Sequence, residues 1–145
     1  MESNTFKHMT VIQQRFNDFD FLGHVNNAVY QHYFDTARLS YFRDVVGLDI
    51  TGNEYSLVMA NICIDYFNPI YKQENTAVRT RIEQLGNKSI TMLQEILNPD
   101  TGQVKSSSRA TLVTFCLKDN KSCEVPGTWK EKIMAFESEV RMKTN

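Results

Sequence analysis

The sequence is short of residues that break or staple a chain: 145 residues contain only 3 prolines, 6 glycines and 3 cysteines. No stretch is rich enough in proline or glycine to serve as a linker, and no segment repeats, so residues 1–145 parse as one domain. Three cysteines are an odd number, and Cys63, Cys116 and Cys123 form no C-x-x-C pair. That excludes a disulfide scaffold and points to a reducing compartment, so a cytoplasmic location is expected. An excess of basic charge is also missing. With 16 Lys+Arg against 17 Asp+Glu, the net charge of −1 supplies no field to draw a phosphate backbone, and nucleic acid is not an expected partner. No 18 apolar residues run together, and the first residues lack a basic region leading into an apolar one. Neither a membrane span nor a signal peptide is expected. A chain of this length buries on the order of 70% of its unfolded surface, so its core needs no metal.

What is present is strong periodicity. Residues 8–17 are rich in strand formers and lead into the turn-prone Asn17-Asp18-Phe19-Asp20-Phe21-Leu22-Gly23. From Asn26 the period changes: Tyr30, Tyr33, Phe34, Ala37, Tyr41 and Val45 recur at spacings of three and four. This predicts a helix to about Val46, capped by the Asn26 side chain and stopped by Gly47 in a left-handed conformation. Asp35 and Arg38 read as a solvated ion pair on the opposite face. After a turn at Thr51-Gly52-Asn53, strands are expected at 56–67, 76–85, 89–97 and 104–117. Gly86-Asn87 and Asn98-Pro99-Asp100-Thr101-Gly102 would close hairpins between them. Alternation assigns Val58, Ala60, Ile62, Ile64 and Tyr66 to the face toward the helix. The last strand is apolar on both faces and calls for a cover. A helix-like tail over about 127–141, with Trp129, Ile133, Phe136 and Val140 in register, is the candidate.

Strand, long striped helix, then four antiparallel strands describe an α+β sheet wrapped around one helix, the hot-dog arrangement. The run Asp18-Phe19-Asp20-Phe21-Leu22-Gly23-His24-Val25-Asn26-Asn27-Ala28-Val29-Tyr30, with Tyr33-Phe34-Asp35-Thr36-Ala37-Arg38 after it, resembles the acyl-CoA thioesterases of the 4-hydroxybenzoyl-CoA thioesterase type. Their pattern is roughly D-x-D-x-x-G-H-[VL]-N-N-x-x-Y-x-x-Y-[FL]-[ED]-x-A-R. The likeness extends more weakly through Tyr66-Phe67-Asn68-Pro69 and the Gly86-Asn87-Lys88-Ser89 turn, and spans roughly residues 11–117. It implies hydrolysis of an acyl-CoA or acyl-carrier thioester without a metal or other cofactor, by a carboxylate at Asp20. It also implies a site shared between subunits of a homodimer or homotetramer, with Lys88 and Ser89 in the region where relatives meet CoA or the thioester.

Elementary chemistry supports the same residues. Thioester hydrolysis needs a base or nucleophile near the carbonyl carbon and a donor aimed at the oxygen as it gains charge. A loop carboxylate ahead of a helix supplies the first, and a free amide in the first helical turn, that of Asn27, supplies the second. Asp18 reads as a turn or capping carboxylate, Gly23 as the residue that lets the loop turn tightly beside a ligand, and His24 as a brace for the loop or a proton carrier. Tyr30 belongs to the buried stripe and would line an acyl pocket where that stripe is uncovered. Two other classes remain open on the sequence: a non-hydrolytic acyl-thioester binding protein, and a hot-dog hydratase or dehydratase, for which only His24 stands near the helix start.

Overall fold

A computed structural model of the chain describes residues 5–48 and 54–143, so the expected turn at 51–53 lies outside the described residues. Strand β1 (His8–Ile12) is followed by a 3-10 turn (Phe16–Asp18) and helix α1 (Asn27–Tyr41), which continues through a π-helical turn (Phe42–Val46). Then come β2 (Tyr55–Tyr66), β3 (Thr76–Leu85), β4 (Ser89–Leu97), β5 (Val104–Cys116), the short β6 (Lys121–Ser122), α2 (Gly127–Phe136) and the short β7 (Arg141–Met142). The long strands form one antiparallel sheet in the order β1-β3-β4-β5-β2, curled against α1. This is the α+β hot-dog arrangement that the element order predicts. Strand β1 ends sooner than expected because β3, its partner among the described residues, begins at Thr76, which stands opposite Ile12. Beyond that point Gln14 turns its side chain to the neighbouring loop, donating to Tyr71 O at 3.1 Å and Glu74 O at 3.0 Å.

Helix α1 starts and stops where local chemistry predicts. The Asn26 Oδ1 accepts the Ala28 amide at 2.9 Å, and Gly47 takes φ 78°. Tyr30, Tyr33, Phe34, Ala37 and Tyr41 are buried as the stripe requires, but Val46 is buried in the last turn while Val45 is only half-buried. The π turn explains the change, since one extra residue per turn shifts the stripe's phase. Strand β2 breaks its alternation in the same way. A bulge at Ala60 leaves Tyr55, Leu57 and Met59 packed on the core before it and Ile64 after it, so Val58 and Ala60 are exposed rather than facing the helix.

Two further expectations are corrected. Arg38 is not a solvated charge but is buried, pairing with Asp35 and donating to Gln94 Oε1 at 3.3 Å. The Gln94 amide in turn donates to Phe34 O at 3.0 Å and Thr80 Oγ1 at 3.1 Å. Thr80, Gln94 and Ser108 are neighbours across β3, β4 and β5, so a polar row separates an apolar cluster around Phe34, Val78 and Ile96 from one around Tyr41, Ile82 and Met92. Helix α2 ends at Phe136, short of the expected 141, and does not cover the outer face. Trp129 and Ile133 join the second cluster and close the core beneath the end of α1. The Glu137 carboxylate fixes that closure, accepting Tyr41 O–H at 2.5 Å and the Ile82 amide at 3.0 Å. Outside, the sheet carries ion pairs instead, Arg109 with Glu83 at 2.8 Å among them.

The loop before α1 is held by Asp18, which is buried. Its carboxylate accepts Tyr33 O–H at 2.7 Å, the Arg15 amide at 2.8 Å and Arg15 Nε at 3.1 Å, while its carbonyl accepts the Asn26 amide at 2.8 Å. Burial pushes the carboxyl up, but the bonds from Tyr33 and Arg15 outweigh it and leave Asp18 below its ordinary value. A carboxyl lowered by folding stabilises the fold fully above the ordinary value of 3.8, and that contribution is lost as pH falls below it toward the folded value. Asp18→Asn therefore destabilises the protein at neutral pH by about 1–3 kcal/mol. Its stability also declines less on acidification below pH 3.8 than that of the wild type. Urea unfolding at a series of pH values measures both effects. Equal acid slopes would show that Asp18 carries no such linkage.

Candidate active site

Asp20 lies just past the buried Asp18 in a turn closed by the Gly23 amide donating to Asp20 O at 3.1 Å. The Asp20 Oδ1 accepts the Leu22 amide at 2.9 Å, and Oδ2 has no partner among the described residues. Gly23 is needed for its φ of 83°, which side chains rarely adopt. A Cβ there would meet nothing within 4 Å, so the turn rather than close approach explains the glycine. Phe21 and Leu22 at the tip are strongly exposed.

The chain then returns to the helix start through a series of paired amides. Val25 N–H donates to Ile70 O at 2.9 Å, Asn26 N–H to Asp18 O at 2.8 Å, Ala28 N–H to Asn26 Oδ1 at 2.9 Å and Val29 N–H to Asn26 O at 2.8 Å. Between them, the Asn27 N–H has no acceptor among the described residues. It is the first residue of α1, where helix geometry leaves the amide free and the dipole is positive.

Asp20 and Asn27 line one open cavity of about 420 Å³, together with His24, Tyr30, Tyr66, Phe67 and Asn68. Tyr30 is 3% exposed and meets the Tyr66 ring edge-on at 5.0 Å. Its hydroxyl donates to Asn68 O at 3.4 Å, and burial raises the phenol above its usual range. The His24 ring packs edge-on against Tyr71 at 5.0 Å, and its backbone pairs with Tyr71, so it braces the loop by main chain and ring contact. Of the expected site residues, the structure thus gathers Asp20, His24, Asn27 and Tyr30. Gly23 shapes the turn without lining the cavity.

Lys88 and Ser89 stand elsewhere. Ser89 pairs with Val113 on β5, whereas the cavity wall Tyr66 pairs with Ser106, seven residues along the same strand. That is about 23 Å at the usual rise per residue. The far hairpin is pinned by Thr114 N–H donating to Lys88 O at 2.9 Å and Val125 N–H to Asn87 O at 2.8 Å. The wall residues Tyr66, Phe67 and Asn68 are not among the site candidates that the sequence brings forward. Their signal is a pair of aromatic residues at a strand end followed by Asn-Pro, and Phe67 is 57% exposed. Among the described residues, no group of three or more His, Cys, Asp or Glu side chains converges as a metal site requires.

Known proteins share this fold and sequence pattern. The chain is 29% identical over 125 residues to the long-chain acyl-CoA thioesterase FadM of Escherichia coli, covering 86% of this chain and 95% of that protein. A crystal structure of a thioesterase from Thermus thermophilus, complexed with coenzyme A and Zn, superposes with a TM-score of 0.81 at 28% identity, over 94% of this chain and 98% of that one. A predicted thioesterase from Bacillus stearothermophilus gives 0.80 at 26% identity, over 91% and 97%. Residues 14–135 match the family described as the thioesterase-like superfamily, and the chain belongs to that superfamily.

Proposed function

We propose that this protein hydrolyses acyl-CoA thioesters to the free acid and CoA, with Asp20 and the Asn27 amide at the reacting carbonyl. The observation that carries the reading is that a carboxylate oxygen and a helix-start N–H, both without partners among the described residues, belong to residues lining one cavity. Asp20 Oδ2 attacks the carbonyl carbon, and expulsion of CoA thiolate leaves an acyl anhydride that water cleaves. Alternatively Asp20 takes a proton from water, whose oxygen bonds to that carbon as the C–S bond breaks. In both routes the carbonyl oxygen becomes negative, and the Asn27 N–H with the positive end of α1 stabilises it. The leaving group is a thiolate, and thiols are acids strong enough (a free cysteine ionises at about 8.5) that its departure makes little demand on a general acid. That leaves His24 free to serve as a brace. Leu22, Tyr30, Tyr66 and Phe67 supply apolar walls for the acyl group.

A second copy completes the site in this reading. Strand β2 is 12 residues long and, among the described residues, leaves one edge of the sheet unpaired, with Val58, Tyr66 and Phe67 exposed along and beyond it. Such an edge is a template for pairing. Two β2 strands joined antiparallel about a two-fold axis would put the partner's Lys88 and the partner's Ser89 at the same end of the joined sheet as this chain's cavity. That supports their assignment to the CoA portion across the dimer. No helix among the described residues is long and apolar enough to cross a membrane. All three cysteines are free, which supports work in a reducing compartment such as the cytoplasm.

Thiol release from a panel of aliphatic and aromatic acyl-CoAs and acyl-carrier thioesters tests the activity. Saturable binding with no thiol released would replace it with a binding role. Asp20→Asn is expected to fold and to lose roughly 10²–10⁴ in kcat, the scale for a positioned base. A folded variant with near wild-type turnover would remove Asp20 from the mechanism. Asn27→Ala keeps the N–H and much of the activity, whereas Asn27→Pro deletes it and loses on the order of 10²–10³ in kcat. Proline suits a first helical position, so both variants fold, and circular dichroism with a melt checks this. Equal rates in the two would show that another group holds the oxygen. Light scattering of active protein is expected to give at least twice 16.8 kDa, and a stable mass of one chain would reject the shared site.

A further inference from the structure

Lys105 on β5 is the one lysine that is buried among the described residues, at 2% exposure. Its ammonium has three hydrogens, and three oxygens receive them: Pro69 O at 3.1 Å, Gln103 Oε1 at 2.7 Å and Glu74 Oε1 at 2.7 Å. Its carbonyl accepts two more amides from the same segment, Phe67 N–H at 2.8 Å and Asn68 N–H at 3.1 Å. Glu74 closes the other end of the segment, accepting the Tyr71 amide at 2.9 Å and Asn98 Nδ2 at 2.9 Å. A buried ion pair of this kind seldom stabilises a fold more than apolar side chains of similar volume would. What an apolar chain cannot do is hold the carbonyl of Pro69.

Pro69 belongs to the wall of the cavity, and the segment passes its position on. Ile70 O accepts the Val25 amide at 2.9 Å, and Tyr71 pairs with His24, two and three residues ahead of Asn27. The helix start is thus hung on the 67–71 segment on one side and on Asp18 on the other. We propose that Lys105, with Glu74 as its counter-ion, is a positioning residue. Without touching substrate, it holds the cavity wall and, through Ile70 and Val25, sets the Asn27 amide against Asp20. This rests on the site proposed above.

The test compares Lys105→Met, Glu74→Gln and the double variant with wild type. Each is followed by thermal melt, by kcat and KM from thiol release, and by hydrogen–deuterium exchange of segments 24–27 and 66–71. Lys105→Met leaves the half-buried Glu74 carboxylate without its counter-ion and lowers the melting temperature. The double variant removes both charges and restores it, yet keeps a kcat lowered by about 10–100-fold with KM within a few-fold, because misplacing a reacting group costs rate rather than binding. Exchange rises about ten-fold or more in both segments, the scale of lost hydrogen-bonded order. Glu74→Gln, which only weakens the ammonium's hold, shifts kcat and exchange the same way by a smaller factor. A merely structural role predicts that activity returns with the melting temperature. Wild-type kcat in the folded double variant, or unchanged exchange over 24–27 in all three, overturns the proposal. Asp20→Asn is assayed in parallel to separate the two readings. If it keeps its turnover while the Lys105 variants behave as stated, the Asp20 assignment falls, and Lys105 is left as the residue that places the cavity wall and the Asn27 amide. If it is inactive while the double variant is fully active, the reverse holds.

Discussion

A carboxylate without access to water must be bonded on every side, and meeting that demand at Asp18 sets the geometry of the pocket. Its oxygens are taken by Tyr33 from the helix and Arg15 from the preceding strand exit, while its carbonyl takes the amide of Asn26. Once those bonds are made, the turn that follows has one direction to go. It carries Asp20 to the surface of the cavity and returns so that the first amides of α1 are paired on both sides of Asn27. Two carboxylates two residues apart thereby acquire different characters. One is buried and lowered by its donors, and the other lines the pocket with one oxygen that has no partner among the described residues.

The same economy governs the wall opposite. Glycine supplies the turn at one corner of the site, but the 67–71 segment has no regular structure and is held by side chains, chiefly Lys105 and Glu74. An irregular segment beside a cavity must place its backbone polar groups somewhere, and here a single buried lysine accounts for three of them. The cost of burying the ammonium is offset by complete hydrogen bonding.

Further from the pocket, the core is divided. A row formed by Thr80, Gln94 and Ser108 under Arg38 separates the apolar cluster behind the site from the one closed by α2. The π turn at Phe42–Val46 and the anchoring of Glu137 on Tyr41 and Ile82 belong to the second cluster. The edge of β2 runs past both. Because the far hairpin and the cavity lie at opposite ends of the sheet, one chain alone keeps Lys88 and Ser89 away from Asp20.

Local chemistry determined much of this from the sequence alone. A side-chain cap at Asn26, a left-handed stop at Gly47, hairpin turns at 86–87 and 98–102, and period-two and period-three-to-four patterns act over a few residues. They placed α1 and strands β3 and β4 correctly. The motif from Asp18 to Arg38 likewise brought Asp20 and Asn27 forward, because they lie within one turn and the start of one helix. Tertiary structure alone decided the rest. The bulge at Ala60 and the π turn each add one residue, which reverses or rotates every side chain beyond it, and only pairing and packing reveal the insertion. Arg38 reads as solvent-facing until Gln94, more than fifty residues away, is brought beneath it. Nothing local marks Lys105 for burial, since the Pro69 carbonyl and the Glu74 carboxylate that hold it come from a segment some thirty residues or more away in the chain. Its burial follows from where β5 passes the 67–74 segment, and no local pattern encodes that crossing.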